Sequence, residues 1–306
     1  MIGGVAARTR GLVKRYGSRR ALDGFTLSVP EGSVMGLVGA NGAGKTTWML
    51  AVAGLLRHDS GEIDVLGSGP FDVARHSGRV TILPQDAELP PDLSPAELLA
   101  GYARLQGLSS RDAAKSAAEA LESVNLSDRA RGAMRTLSHG MRKRVMAAQC
   151  FIGAPELVLL DEPLNGLDPV EADRLRRFIA SQRGRRTVVI SSHRLGDIEQ
   201  VCTHVAFVET GRVVRSDTLR AVTQTDEQTS YVLSREPSDV EALAAAVPGA
   251  TFRWDSATHT LACSFPEAAG GAAAVNRRLL PALLAQADVI SVSAGVTLEQ
   301  AYLARA

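Results

Sequence analysis

Short, near-continuous apolar runs alternate with longer stretches of helical spacing across residues 1–222, as at Val34 to Val38, Leu157 to Leu160 and Thr187 to Ile190. A strand covered on both faces has no wet side to fill with polar residues, so these runs read as buried strands. The alternation predicts an α/β domain with a largely parallel sheet. Between the first two runs, Ser94 to Arg131 is rich in Ala, Leu and Glu at helical spacing. Ser94-Pro95-Ala96-Glu97 reads as an N-cap followed by proline at the first helical position, where its missing N–H costs nothing. A helical subdomain over about residues 86–150 is therefore expected.

The polar, unpatterned stretch Thr223 to Thr229 marks a domain boundary. Beyond it, Tyr231 to Leu233 predicts a strand and Asp239 to Ala246 a helix closed by Pro248-Gly249. Thr251 to Trp254 and His259 to Phe265 predict a hairpin turning near Ser256-Ala257; Ala272 to Ala287 predicts a helix and Val289 to Val292 a last strand. The order β-α-β-β-α-β is that of the split unit of ferredoxin-like folds, so residues 223–306 are expected to form a small α+β domain.

The chain's 306 residues suffice for two cores, and 45% hydrophobic against 22% charged residues is far from the composition of disordered chains. The longest uncharged run, Gly32 to Gly44, is glycine-rich and too short to span a bilayer. Arg8, Arg10 and Lys14 have no apolar stretch behind them, which predicts no secretory signal. Cys150, Cys202 and Cys263 lie far apart without paired spacing, arguing against a disulfide framework or a zinc site and for three small buried thiols. Residues 221–306 hold five Arg against nine Asp and Glu, a net −4, leaving +5 on residues 1–220. Neither charge suggests a nucleic-acid binder.

Gly39-Ala40-Asn41-Gly42-Ala43-Gly44-Lys45-Thr46-Thr47 satisfies G-x-x-x-x-G-K-[ST], follows the strand Val34 to Val38 and opens a helical run to Gly54. Glycines let successive N–H groups point into one concavity, and the helix N-terminus adds its positive dipole, so the loop suits a di- or triphosphate. Lys45 would bridge the terminal phosphates and the Thr46 hydroxyl would ligate magnesium. Lysine here is notable, because the chain has four Lys against thirty Arg. The run Leu157 to Leu160 ends in Asp161 and Glu162. Asp161 would hold magnesium through water, and Glu162 would act as general base on an attacking water. Together these motifs predict a nucleotide hydrolase.

Leu137-Ser138-His139-Gly140-Met141, just ahead of the carboxylate strand, resembles the signature motif of ATP-binding cassette (ABC) ATPases. The resemblance runs from residue 9 to about 215 with its elements in family order. Gln85 resembles the Q-loop glutamine, a catalytic and magnesium-contacting position. Asn165-Gly166-Leu167-Asp168 resembles the D-loop, with Asp168 in the nucleotide-contacting set, and His193 resembles the switch histidine. Tyr16 resembles the aromatic that stacks on adenine. His139 and Met141 stand where the usual signature has Gly and Gln; Met141 is familiar in exporter-type cassettes.

The resemblance implies ATP and Mg2+ as cofactors and a homodimer in the ATP state. In that dimer Ser138 and Gly140 of one copy would complete the site on the phosphate loop of the other. It also implies a separate transmembrane permease docking between Gln85 and the helical subdomain, a place on the cytoplasmic face of the membrane, and no nucleic-acid partner. Val296 to Leu303 resembles the tail of stand-alone cassettes serving drug, antibiotic or lipid-linked glycan exporters, so export is favoured over import. Two other classes are less well matched. A soluble cassette ATPase acting on ribosomes or DNA usually carries two cassettes or long coiled-coil insertions, and a phosphoryl transferase would have no use for Leu137 to Met141.

Overall fold

The computed structural model describes residues 4–223, 228–295 and 298–303. Internal packing divides the chain into two compact units after Thr218.

The first unit opens with two long strands, β1 (Val5–Tyr16) and β2 (Arg19–Pro30), followed by β3 (Val34–Val38), helix α1 (Lys45–Val52) and β4 (Ser60–Val65). Next come α2 (Val73–His76), β5 (Val80–Leu83), α3 (Pro95–Leu105), α4 (Ser110–Ser123) and α5 (His139–Gln149). The unit ends with β6 (Leu157–Leu160), α6 (Pro169–Ala180), β7 (Thr187–Ser192), α7 (Leu195–Val201), β8 (His204–Glu209) and β9 (Arg212–Thr218). A six-stranded sheet has the order β5-β6-β7-β3-β8-β9, with every pairing parallel except β8 with β9. Strands β3 and β6 are buried along their whole length, as continuous apolar runs require.

This is the expected largely parallel sheet; a second sheet was not foreseen in the sequence. Strands β2, β1 and β4 form a separate three-stranded antiparallel sheet. Its sequence signal is weak because β1 shifts register between Thr9 and Leu12 and again beyond, and each bulge resets the period-two alternation that marks a half-buried strand. Buried Trp48 of α1 ties this sheet to the phosphate-loop helix, donating its indole N–H to Thr9 Oγ1 at 3.0 Å and stacking on Phe25 at 5.9 Å.

Helices α3, α4 and α5 occupy the expected helical region. Ser94 caps α3 with a complete capping box: its Oγ accepts the Glu97 N–H, and the Glu97 carboxylate accepts the Ser94 N–H at 2.9 Å.

The second unit comprises α8 (Leu219–Thr223), β10 (Gln228–Leu233), α9 (Val240–Ala246), β11 (Thr251–Asp255), β12 (Thr260–Ser264), α10 (Gly271–Leu284), β13 (Val289–Ala294) and α11 (Leu298–Leu303). Its antiparallel sheet has the order β11-β12-β10-β13, the ferredoxin-like arrangement expected from the element order. Tyr231 and Leu233 of β10 pack with Leu261 and Cys263 of β12 against Leu243 of α9 and Val275, Leu279 and Leu283 of α10. Helix α10 carries Pro281 in its interior and closes at Leu284, short of the expected Ala287. Residues 224–227 of the boundary stretch, and Val296 and Thr297 of the tail, lie outside the described residues.

Candidate nucleotide-binding site

Parallel strands β5, β6, β7 and β3 are neighbours in that order, so the residues just past their C-terminal ends converge on one edge. Gln85 follows β5, Asp161 and Glu162 follow β6, His193 follows β7, and the loop Gly39 to Gly44 joins β3 to α1. This is the edge at which open parallel sheets bind their ligands.

Lys45 is 5% exposed, and its Nζ donates to the carbonyls of Gly39 at 2.7 Å and Ala40 at 3.2 Å. Glu162 Oε1 lies 4.0 Å away. Burial pulls the Lys45 pKa down, while the Glu162 and Asp161 carboxylates push it back up.

Both carboxylates are buried. The hydroxyl of Ser191, the penultimate residue of β7, accepts the Glu162 N–H at 2.8 Å and donates to Asp161 Oδ1. Glu162 has φ +49°, a left-handed conformation uncommon outside glycine, and persists there because its N–H is held from the next strand. Its Oε2 lies 3.1 Å from His193 Nδ1. Asp161 Oδ2 is buried with no hydrogen-bond partner. With the exposed Thr46 hydroxyl on the loop, it makes an all-oxygen donor set that fits a hard divalent cation.

Tyr16 arrives from the other sheet. The β1–β2 hairpin turns through Gly17-Ser18, pairing Tyr16 with Arg19 at its tip. Lys14 Nζ sits 5.5 Å from the Tyr16 ring centroid, and the tyrosine is 51% exposed.

These groups line one cavity of about 570 Å³, which brings together Tyr16, Lys45, Thr46, Gln85, Glu162 and His193 with Asn41, Gly42, Gly44 and Thr47. Arg19 and Asn165 also line it. Arg19 was not singled out in the sequence because its place depends on strand pairing. Asn165 was named only within the D-loop segment. Asp161 and Gly39 are not among the residues lining it.

Ser138, Gly140 and Asp168 are not among the residues lining that cavity. Exposed Ser138 caps α5, its Oγ accepting the Met141 N–H at 3.1 Å; buried Gly140 faces Glu171 of α6. Asp168 caps α6, accepting the N–H groups of Val170 and Glu171 at 3.0 Å each. A second cavity of about 780 Å³ lies between Asp86 to Pro91 and His139 to Met146, sharing Gln85 and Asn165 with the first.

A phosphate loop, a buried carboxylate pair and a histidine on one sheet edge define a P-loop nucleotide-hydrolysing domain. The ABC transporter family model matches residues 22–165. The daunorubicin resistance ATP-binding protein DrrA3 of Streptomyces coeruleorubidus is 37% identical over 249 residues, covering 78% of this chain and 76% of that protein. The Nod factor export ATP-binding protein I of Burkholderia orbicola (strain AU 1054) is 34% identical over 222 residues, covering 71% and 72%. Among solved structures, an ATP-binding subunit of an ABC transporter shares 26% identity with a TM-score of 0.62, covering 71% of this chain and 91% of that one. A dimeric post-hydrolysis state of the ATP-binding cassette MJ0796 bound to ADP and Pi has a TM-score of 0.63 at 21% identity, covering 70% and 99%, a likeness of fold. The chain belongs to the ABC transporter family and is an ATP-binding, ATP-hydrolysing subunit. Among the described residues no helix is long and apolar enough to cross a membrane.

Proposed function

We propose that this chain drives export through a separate transmembrane permease, closing as a head-to-tail homodimer around two ATP on the cytoplasmic face of the membrane. The observation that carries the dimer is the position of Ser138 and His139: both are exposed at the start of α5 and outside their own chain's nucleotide cavity, free to meet a second copy. The roles that the relatives' names give, daunorubicin resistance and Nod factor export, support export as the direction. The permease would dock over the cavity between Asp86 to Pro91 and α5, which borders the nucleotide site through Gln85.

In this reading Lys45 exchanges its two loop carbonyls for nucleotide phosphate oxygens. Glu162 takes the proton of the attacking water, His193 holds the Glu162 carboxylate in line, and the bond to the γ-phosphate breaks to leave ADP and phosphate. Thr46 and Asp161 would hold Mg2+, which neutralises charge on the transferring phosphoryl group when bound. Tyr16 stacks on the base, and Ser138, Gly140 and Asp168 act across the dimer.

Size-exclusion chromatography with ATP and magnesium tests this. Glu162→Gln should elute as a stable dimer while Lys45→Ala stays monomeric. A monomeric Glu162→Gln chain with ATP bound would contradict the homodimer.

A further inference from the structure

We propose that Arg19 is a polyphosphate-binding residue of the nucleotide site, acting with Tyr16 as a two-residue clamp at the hairpin tip; this rests on the nucleotide-site reading above. Neighbours across a two-residue turn place their side chains on the same face, and Tyr16 pairs directly with Arg19. The Arg19 guanidinium reaches the phosphate loop, its Nη2 donating to the Gly42 carbonyl at 3.0 Å. Gly42 has φ +78°, and a Cβ there would lie 2.6 Å from the same Nη2, so the bare loop backbone lets the guanidinium lie against it. One of its five N–H groups is thereby used, and four remain to donate.

Charge balance singles Arg19 out among its neighbours. Arg20 and Arg212 both bind Asp23, at 2.7 Å each. Within the cavity, Lys45 lies 4.0 Å from Glu162, and His193 lies against the same carboxylate. Among the described residues, no carboxylate lies within ion-pairing distance of Arg19. It is therefore a cation of the cavity lining without a counter-charge, held by a single carbonyl over a loop built for phosphates. A guanidinium presenting free donors in a fixed plane matches phosphate oxygens, and the incoming nucleotide supplies the missing negative charge. Tyr16, by contrast, brings no positive charge, and its ring suits the base.

The test is equilibrium binding of ATP, ADP and adenosine to the full-length chain, Arg19→Gln and Arg19→Lys, by competition against a fluorescent ATP analogue at low and high salt. Arg19→Gln should weaken ATP and ADP about tenfold, leave adenosine within about twofold, and lose most of the difference at high salt. Arg19→Lys should recover part of the ATP affinity. Both variants should melt with the wild type, since the side chain is exposed. Unchanged ATP affinity in Arg19→Gln overturns the inference while leaving the nucleotide site intact, and so does an equal loss for ATP and adenosine, which would make Arg19 a prop for the loop. A wild-type chain that fails to bind ATP removes the site reading and this inference together.

Discussion

Buried Ser191 holds Glu162 from the neighbouring strand, accepting its backbone N–H at 2.8 Å, and the same hydroxyl donates to Asp161. One side chain thus fixes the positions of two adjacent carboxylates, and it sustains the left-handed Glu162 backbone at φ +49°. Ser191→Ala leaves the Glu162 N–H and an Asp161 oxygen without partners, which should cost about 1–3 kcal/mol of stability. Because Glu162 is then free to drift, hydrolysis should fall roughly 10- to 100-fold with ATP affinity nearly unchanged. Single-turnover hydrolysis beside equilibrium binding separates the two effects. A loss of affinity as large as the loss of rate would show that Ser191 supports the whole loop.

His193 makes one contact that bears on chemistry, 3.1 Å to Glu162 Oε2, while Lys45 waits 4.0 Å from the other carboxylate oxygen. Without the imidazole, Glu162 is drawn towards Lys45 and away from the water that it activates in the proposed mechanism. His193→Ala should therefore slow hydrolysis by about two to three orders of magnitude, while ATP binding stays within about threefold. Rapid-quench measurement of phosphate release at saturating ATP reads the first, and titration reads the second.

Arg144 of α5 is almost fully buried, sits 2.6 Å from Glu171 of α6 without hydrogen-bond alignment, and donates to the Val124 and Asn125 carbonyls. Glu171→Ala strands that charge and should cost about 3–5 kcal/mol in urea unfolding. Gly140 lies over the same carboxylate: a Cβ there would fall 2.6 Å from Glu171 Cγ. Gly140→Ala should cost about 1–3 kcal/mol by overpacking and shift the start of α5, which carries Ser138 and His139. In a Glu162→Gln background, Gly140→Ala should weaken the ATP-trapped dimer more than it lowers the melting temperature of the free chain.

All three cysteines are free and buried, and burial pushes the Cys150 thiol up to about 12 from the ordinary 9.0. Native protein at pH 8 should resist alkylation at Cys150 until it is unfolded. A thiol with a raised folded pKa keeps its proton where the unfolded chain releases it. Stability is therefore intact below pH 9 and falls as pH rises from 9 towards 12, by about 1.4 kcal/mol per pH unit for Cys150. Urea melts at pH 8 and pH 10.5 read the slope; Cys150→Ala should lower it by the share of that one thiol, because burial also raises Cys202 and Cys263, which keep theirs.

Glycines at Gly39, Gly42 and Gly44, the lysine that follows them, and the apolar run ending in Asp161 and Glu162 were legible in the sequence because each is local. A few adjacent residues set the backbone path, and the chemistry sits on that path. Gln85 and His193 were legible for a related reason: each follows an apolar strand whose place in the order was readable. The order of strands, helices and turns beyond residue 228 was enough to predict the four-stranded sheet of the second unit, since one apolar face per element leaves few ways to bury them all. The antiparallel sheet of β1, β2 and β4 was hidden by its bulges, and with it the pairing of Tyr16 with Arg19. Ser191 carries no motif of its own and gained its role from β6 lying beside β7. Pairing across strands brings together residues separated by tens of positions, and no periodicity along the chain records which carbonyl, hydroxyl or guanidinium will face which. Tertiary structure alone decided that an exposed arginine beside a turn lies on the phosphate loop, and that a buried serine holds Glu162.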